Sequence, residues 1–119
     1  MKIIEIAFSG YSVTDLNRAR SFYEGVLGLK PSMVYGDNTN GWIEYDIGSS
    51  TLSIGNMAPE WKPSKDGGCV GLEVENFDEA MRCLKENGAT MLEPFESPVC
   101  RMAVVSDPDG NSLLIHKRK

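Results

Sequence analysis

"SVTDLNRA" (Ser12 to Ala19) has a counterpart 61 residues further along the chain, "EVENFDEA" (Glu73 to Ala80). The overlay pairs Val13 with Val74, Asp15 with Asn76, Leu16 with Phe77 and Ala19 with Ala80. The same shift of 61 lays "DIGSSTLSI" (Asp46 to Ile54) over "DPDGNSLLI" (Asp107 to Ile115). Two matches at one offset mark an internal repeat, and the repeat sets the unit from which the fold is built.

Each copy reads alike. A strand-like run ("IIEIAFSGYSV", then "CVGLEVE") leads into Asp15 or Asn76, whose side chain can accept from the free amides of a first helical turn. Glu79 stands three residues after Asn76 and completes a capping box; Arg18 holds that position in the first copy. Helical spacing then puts Leu16, Ala19, Tyr23, Val26 and Leu27 on one stripe ending at Gly28, and Phe77, Ala80, Met81 and Leu84 on another ending at Gly88. Three strands are predicted after each helix: 32–35, 42–47 and 51–55 in the first copy, 90–93, 101–106 and 112–116 in the second. "GDNTNG", "IGSS" and "SDPDGN" between them carry turn chemistry. The order is βαβββ, twice: modules 1–55 and 68–119 joined by the linker 56–67, "NMAPEWKPSKDGG" extending one residue beyond it, within a single α+β domain of residues 1–119.

Composition excludes several function classes. With 41% hydrophobic and 24% charged residues the 119-residue chain falls in the globular range, and no apolar run approaches the roughly 18 residues that cross a bilayer. A net charge of -5 with dispersed lysines and arginines offers no basic face to nucleic acid or anionic lipid. The opening "MKIIEIAFSG" reads as a first strand and not a signal peptide, since Glu5 interrupts its apolar run. Cys69, Cys83 and Cys100 form no Cys-x-x-Cys pair, against a disulfide framework or structural zinc, and the expected compartment is the cytoplasm. Cys69 and Cys100 read as buried apolar fillers, having no flanking histidine to activate them.

The doubled βαβββ pattern, with "TDLNRARSFYEGVLGL" (Thr14 to Leu29) in the first copy and "DPDGNSLLI" in the last hairpin, resembles the vicinal oxygen chelate superfamily. That superfamily holds glyoxalase I, extradiol dioxygenases and bleomycin-resistance proteins. The resemblance implies a curved, mostly antiparallel eight-stranded sheet with helices on its convex face, a homodimer, and a ligand in the concave face. Metal-dependent members hold a divalent cation there with four side chains, and the positions of this chain that match are Phe8, Ser53, Cys69 and Leu114. Phenylalanine and leucine have no lone pair, serine is a weak ligand, and one cysteine is a soft partner for such ions. No metal or other cofactor is therefore expected, and glyoxalase I or dioxygenase chemistry loses its basis.

Alternation along strands places further groups beside those four. Trp42, Glu44 and Asp46 are expected on the concave face of the third strand, and Gly71 and Glu73 beside Cys69. Ser112 and His116, the sole histidine, are expected beside Leu114, and the repeat shift adds Arg101, Ala103 and Val105. Phe8, Trp42, Ser53, Cys69, Arg101, Leu114 and His116 would line a pocket, with Glu44, Glu73 and Arg101 as the groups able to act as base or electrophile. Each has a structural reading: ion pairing for the charges, core for the aromatics, a solvated strand end for His116. Trp61 in the linker suits either a pocket cap or a dimer interface, and "EPFESPVCRM" (Glu93 to Met102) a pocket-edge loop with Glu96 near Arg101.

Three functions fit: a metal-free small-molecule binding protein of the bleomycin-resistance kind, a lyase, isomerase or dioxygenase with a rewired site, and a structural or regulatory dimer. The apolar residues at the ligand positions favour the first. Its partners would be a small organic ligand and a second copy of the chain, with no nucleic acid and no membrane.

Overall fold

The structure is a computed structural model describing residues 1–119. Its order is β1 (Ser9–Ser12), α1 (Leu16–Arg20) continued by a π-helical segment (Ser21–Val26), β2 (Pro31–Gly36), β3 (Gly41–Ile47) and β4 (Ser50–Gly55), then β5 (Val70–Glu73), α2 (Phe77–Glu86), β6 (Phe95–Glu96), β7 (Cys100–Ser106) and β8 (Ser112–Arg118). The βαβββ order occurs twice, in two compact units, Met1–Pro63 and Ser64–Lys119. No helix is long and apolar enough to cross a membrane.

In the first unit the sheet order is β1-β4-β3-β2, with β1 parallel to β4 and the other pairs antiparallel. Asp15 caps α1 by accepting from Arg18 N at 3.0 Å. The helix then widens: Leu27 N donates to Phe22 O, five residues back, at 2.9 Å, before Gly28 stops it at φ +74°. The wider turn changes which side chains reach the core. Phe22 is buried beside Tyr23, whereas Val26 and Leu27, which ideal spacing puts on the stripe, are half-buried. Tyr23 stacks on Tyr45 of β3 at 6.2 Å between ring centroids, and Leu16, Ala19, Ile43, Leu52 and Ile54 complete the core. The first strand is shorter than its sequence suggests, because only Ser9–Ser12 finds a partner in β4.

The second unit repeats the plan as β5-β8-β7-β6, with β5 parallel to β8. Asn76 caps α2 at φ -131°, ψ 109°, close to the -128°, 106° of Asp15, so the repeat extends to backbone torsions. Phe77, Met81 and Leu84 pack with Ala103, Val105, Leu113 and Ile115 as the core, and each of these side chains larger than alanine contributes about 1.5–3 kcal/mol by leaving water. The hairpin before β8 is held by Asp107: its Oδ1 accepts from Asp109 N and Asn111 N, both at 2.9 Å, and its Oδ2 from Asn111 Nδ2 at 2.8 Å. Asn111 Oδ1 in turn accepts from Ser64 N at 2.9 Å, fastening the start of this unit.

Two expectations about the second unit are corrected. The strand predicted over 90–93 is reduced to one bridge, Met91 to Val105, and pairing resumes only at Phe95–Glu96, because Pro94 interrupts with no N–H to donate. The expected phase of β7 is also reversed. Ala103 and Val105 pair with Ile115 and Leu113 on the buried, helix-facing side, leaving Met102 and Val104 opposite His116 and Leu114. The cause is hairpin length: Ile47 faces Ser50 across a tight turn, while Ser106 faces Ser112 across a longer one. The repeat offset is thereby 60 on β7 and 61 on β8, and a slip of one residue turns every side chain over.

Candidate functional site

On the face of the first sheet turned away from α1, two glycines remove the side chains that would otherwise stand there. Gly55 lies under Trp42, where an added Cβ would meet indole Cε3 at 2.6 Å, and Gly10 lies under Trp61, where it would meet Cη2 at 3.3 Å. Both indoles rest on backbone. Trp42 and Trp61 touch at 6.1 Å between centroids and 36° between planes, and Phe8 meets Trp42 edge-on at 5.3 Å. Trp61 comes from the linker, in a turn closed by its own N donating to Ala58 O at 3.0 Å and tied to β1 by Ser12 Oγ donating to Trp61 O at 2.5 Å. Trp61 lies over this face, against Gly10 and Trp42.

The polar groups of the face belong to two strands. Trp42 Nε1 donates to Glu44 Oε2 at 2.9 Å, and Glu44 is the direct cross-strand partner of Ser53, which is fully buried. Asp46 follows at the outer end, accepting from Thr51 Oγ1 at 3.1 Å, and Tyr35 flanks Trp42 from β2. Strand alternation thus brings together Phe8, Trp42, Glu44 and Ser53. A small cleft of about 250 Å³ lies behind the linker, between Ser12–Thr14 and Ala58–Pro63.

In the second unit Glu73 and His116 meet: His116 Nδ1 lies 2.6 Å from Glu73 Oε1, and Arg118 N donates to Glu73 Oε2 at 2.8 Å. The backbone N–H of Arg118 first, and the His116 ring second, hold the Glu73 carboxyl below the usual glutamate range. Leu114 shares that face and Cys69 precedes β5 in phase with Gly71, but Cys69 is exposed, not the buried filler expected; Cys100 is buried. Arg101 does not join them. It stands on the other side of its sheet, its guanidinium 4.4 Å from the Phe77 ring centroid and its Nη2 3.0 Å from Asp78 Oδ1. Glu96, its cross-strand neighbour, pairs with Lys119 at 2.6 Å, which lowers the Glu96 carboxyl.

The positions matched to the family's metal ligands supply two hydrocarbon side chains, Phe8 and Leu114, with one hydroxyl and one thiol. That donor set does not fit a hard divalent ion, which takes carboxylate, imidazole or water. A network the sequence did not disclose lies under α1: Glu24 Oε2 accepts from Arg20 Nε at 2.6 Å and from the buried Tyr45 hydroxyl at 2.9 Å. Its signal in the sequence is the i,i+4 spacing of Arg20 and Glu24, whereas the bond from Tyr45 on β3 has no mark there.

Comparison with solved structures gives the same fold repeatedly. TnmS3, an antibiotic binding protein from Streptomyces sp. CB03234, superposes with a TM-score of 0.83 at 23% identity, over 100% of this chain and 99% of its own. A glyoxalase/bleomycin resistance protein from the same Streptomyces gives 0.75 at 24% identity, covering 97% and 100%. A member of the glyoxalase/bleomycin resistance protein/dioxygenase superfamily from Sphaerobacter thermophilus DSM 20745 gives 0.73 at 25%, covering 97% and 98%. No curated protein matches the sequence. The family profile described as the Glyoxalase/Bleomycin resistance protein/Dioxygenase superfamily matches residues 4–115, nearly the whole doubled module, and the chain belongs to that superfamily.

Proposed function

We propose that the protein binds a small organic molecule, as bleomycin-resistance members do, without the divalent cation of the metal-dependent members. The observation that carries this is the aromatic surface of Phe8, Trp42 and Trp61, laid on the bare backbone of Gly10 and Gly55. Large aromatics displayed with a few polar groups suit an organic ligand better than an ion. The likeness to an antibiotic binding protein supports the same reading. A homodimer in the cytoplasm is the proposed working form: Ile3, Ile4 and Ile6 are 80–83% exposed in the segment before β1, and β1 is an edge strand of its sheet. A second copy is the proposed cover for that segment.

Catalysis by a rewired site has weaker support. A general base working near neutrality needs a raised carboxyl, and Glu73 is shifted the other way. Arg101, the expected electrophile, is engaged by Asp78 and Phe77. Metal analysis of the purified native protein tests the reading: no stoichiometric Ni, Mn, Zn or Fe is expected, and one such ion per chain overturns the metal-free proposal. A thermal-shift screen with glutathione hemithioacetals, catechols and glycopeptide antibiotics then tests binding. A rise in melting temperature with an aromatic compound is expected, and a null across all three classes favours a structural or regulatory dimer.

A further inference from the structure

Two polar atoms on the aromatic face have no partner. Ser53 Oγ is fully buried and makes no hydrogen bond. Glu44 uses Oε2 to accept from Trp42, and its Oε1 accepts from nothing. The two residues are direct cross-strand partners on the same face as Gly10 and the indoles. Buried hydroxyls in folded proteins nearly always find a partner, and one without calls for a bound group to complete it. The charge is one-sided as well: β1 to β4 carry Glu44 and Asp46 on this face and no Lys, Arg or His anywhere in their residues. Lys30 precedes β2 and Lys62 follows Trp61 on the linker, both outside these strands.

We propose that this face recognises a flat aromatic cation bearing N–H donors. The ring lies on Trp42, in the place that the Trp61 indole takes here; one N–H donates to Glu44 Oε1 and another to Ser53 Oγ. Flatness follows from the indoles themselves, flat rings that lie in the room that a side chain at Gly10 or Gly55 would take. The positive charge follows from the carboxylates and the electron-rich ring faces, which attract a cation and repel an anion. Trp61 is the residue that gives way, since it stands on a linker turn and not on a strand. The inference rests on the small-molecule reading above and adds the ligand's class to it.

Calorimetric titration with 4-aminoquinoline, which is flat, protonated at neutral pH and rich in N–H donors, tests it against the neutral 2-quinolinone and the anionic naphthalene-2-sulfonate. The wild-type protein is expected to bind the cation about tenfold or more tightly than the neutral ring, and the anion least. Glu44→Gln is expected to abolish the preference for the cation over 2-quinolinone, and Ser53→Ala to weaken 4-aminoquinoline about threefold. Trp61→Ala should tighten it by removing the competing indole. Equal affinity for cation and neutral ring overturns the cation assignment and leaves the small-molecule reading standing. An unchanged affinity in Ser53→Ala assigns the hydroxyl to water and overturns its role. No saturable heat from any of the three, in wild type or Trp61→Ala, overturns both readings. The wild-type comparison needs no variant, so a misfolded substitution does not block the test.

Discussion

Asp107 shows how much of a hairpin one side chain can hold. It is buried and accepts from two backbone amides and from Asn111, so truncation strands three donors at once. Asp107→Ala is expected to cost about 2–4 kcal/mol, read from urea unfolding midpoints. Tyr45 offers a second test. Burial first, and its bond to Glu24 second, push its ionisation above the ordinary 10.0. The folded chain keeps this proton where the unfolded chain loses it, so the stabilisation is whole below pH 10 and declines as pH rises toward the folded value. Ultraviolet titration should find one phenol resisting ionisation, and Tyr45→Phe should remove that late step. Glu73 runs in the opposite sense: its lowered folded value makes its contribution present above the ordinary 4.5 and lost as pH falls through the lowered value. Carboxyl-carbon NMR should place its midpoint below other glutamates. His116→Ala should return part of the shift and leave the part held by the Arg118 amide, its largest single cause.

Helices and hairpins were legible in the sequence wherever a local device makes them. The caps Asp15 and Asn76 and the stops Gly28 and Gly88 act as their residue types predict, since each is set by a few adjacent residues. What was hidden depends on relations between distant segments. Pro94 split a predicted strand, the longer second hairpin reversed β7 and carried Arg101 out of the pocket set, and the π-helical turn rotated Phe22 inward. The aromatic face was half legible: alternation found Trp42 and Glu44, and the resemblance with the repeat shift found Phe8 and Ser53, while Trp61 belongs to a segment with no periodicity to read. Gly25 and Gly55 separate the two uses of glycine in these elements. Gly25 lies within the helical segment with nothing within 4 Å of an added Cβ, so Gly25→Ala should raise stability by about 0.5–1 kcal/mol in urea unfolding. Gly55→Ala should lower it by about 1–3 kcal/mol and displace the Trp42 indole, changing the near-ultraviolet dichroism.

For the whole molecule, the duplicated plan is carried by the sequence pattern, and its assembly is not. Alternation in "MKIIEIAF" predicts a strand, but a strand needs a neighbour, and residues before Ser9 have none within the chain. Light scattering should give twice the chain mass. Ile4→Asp with Ile6→Asp should weaken that dimer at least about a hundredfold, measured by sedimentation over a concentration series. A monomer in the unmutated protein at all concentrations would remove the second copy as the cover of that segment. Trp42 and Trp61 have a further consequence, being the chain's two tryptophans and in contact. Chromophores that close and tilted by 36° share their excitation, and such a pair gives a circular-dichroism couplet of opposite signs that neither indole gives alone. Whatever displaces Trp61 uncouples the pair and erases the couplet, so the protein carries its own label-free optical record of occupancy.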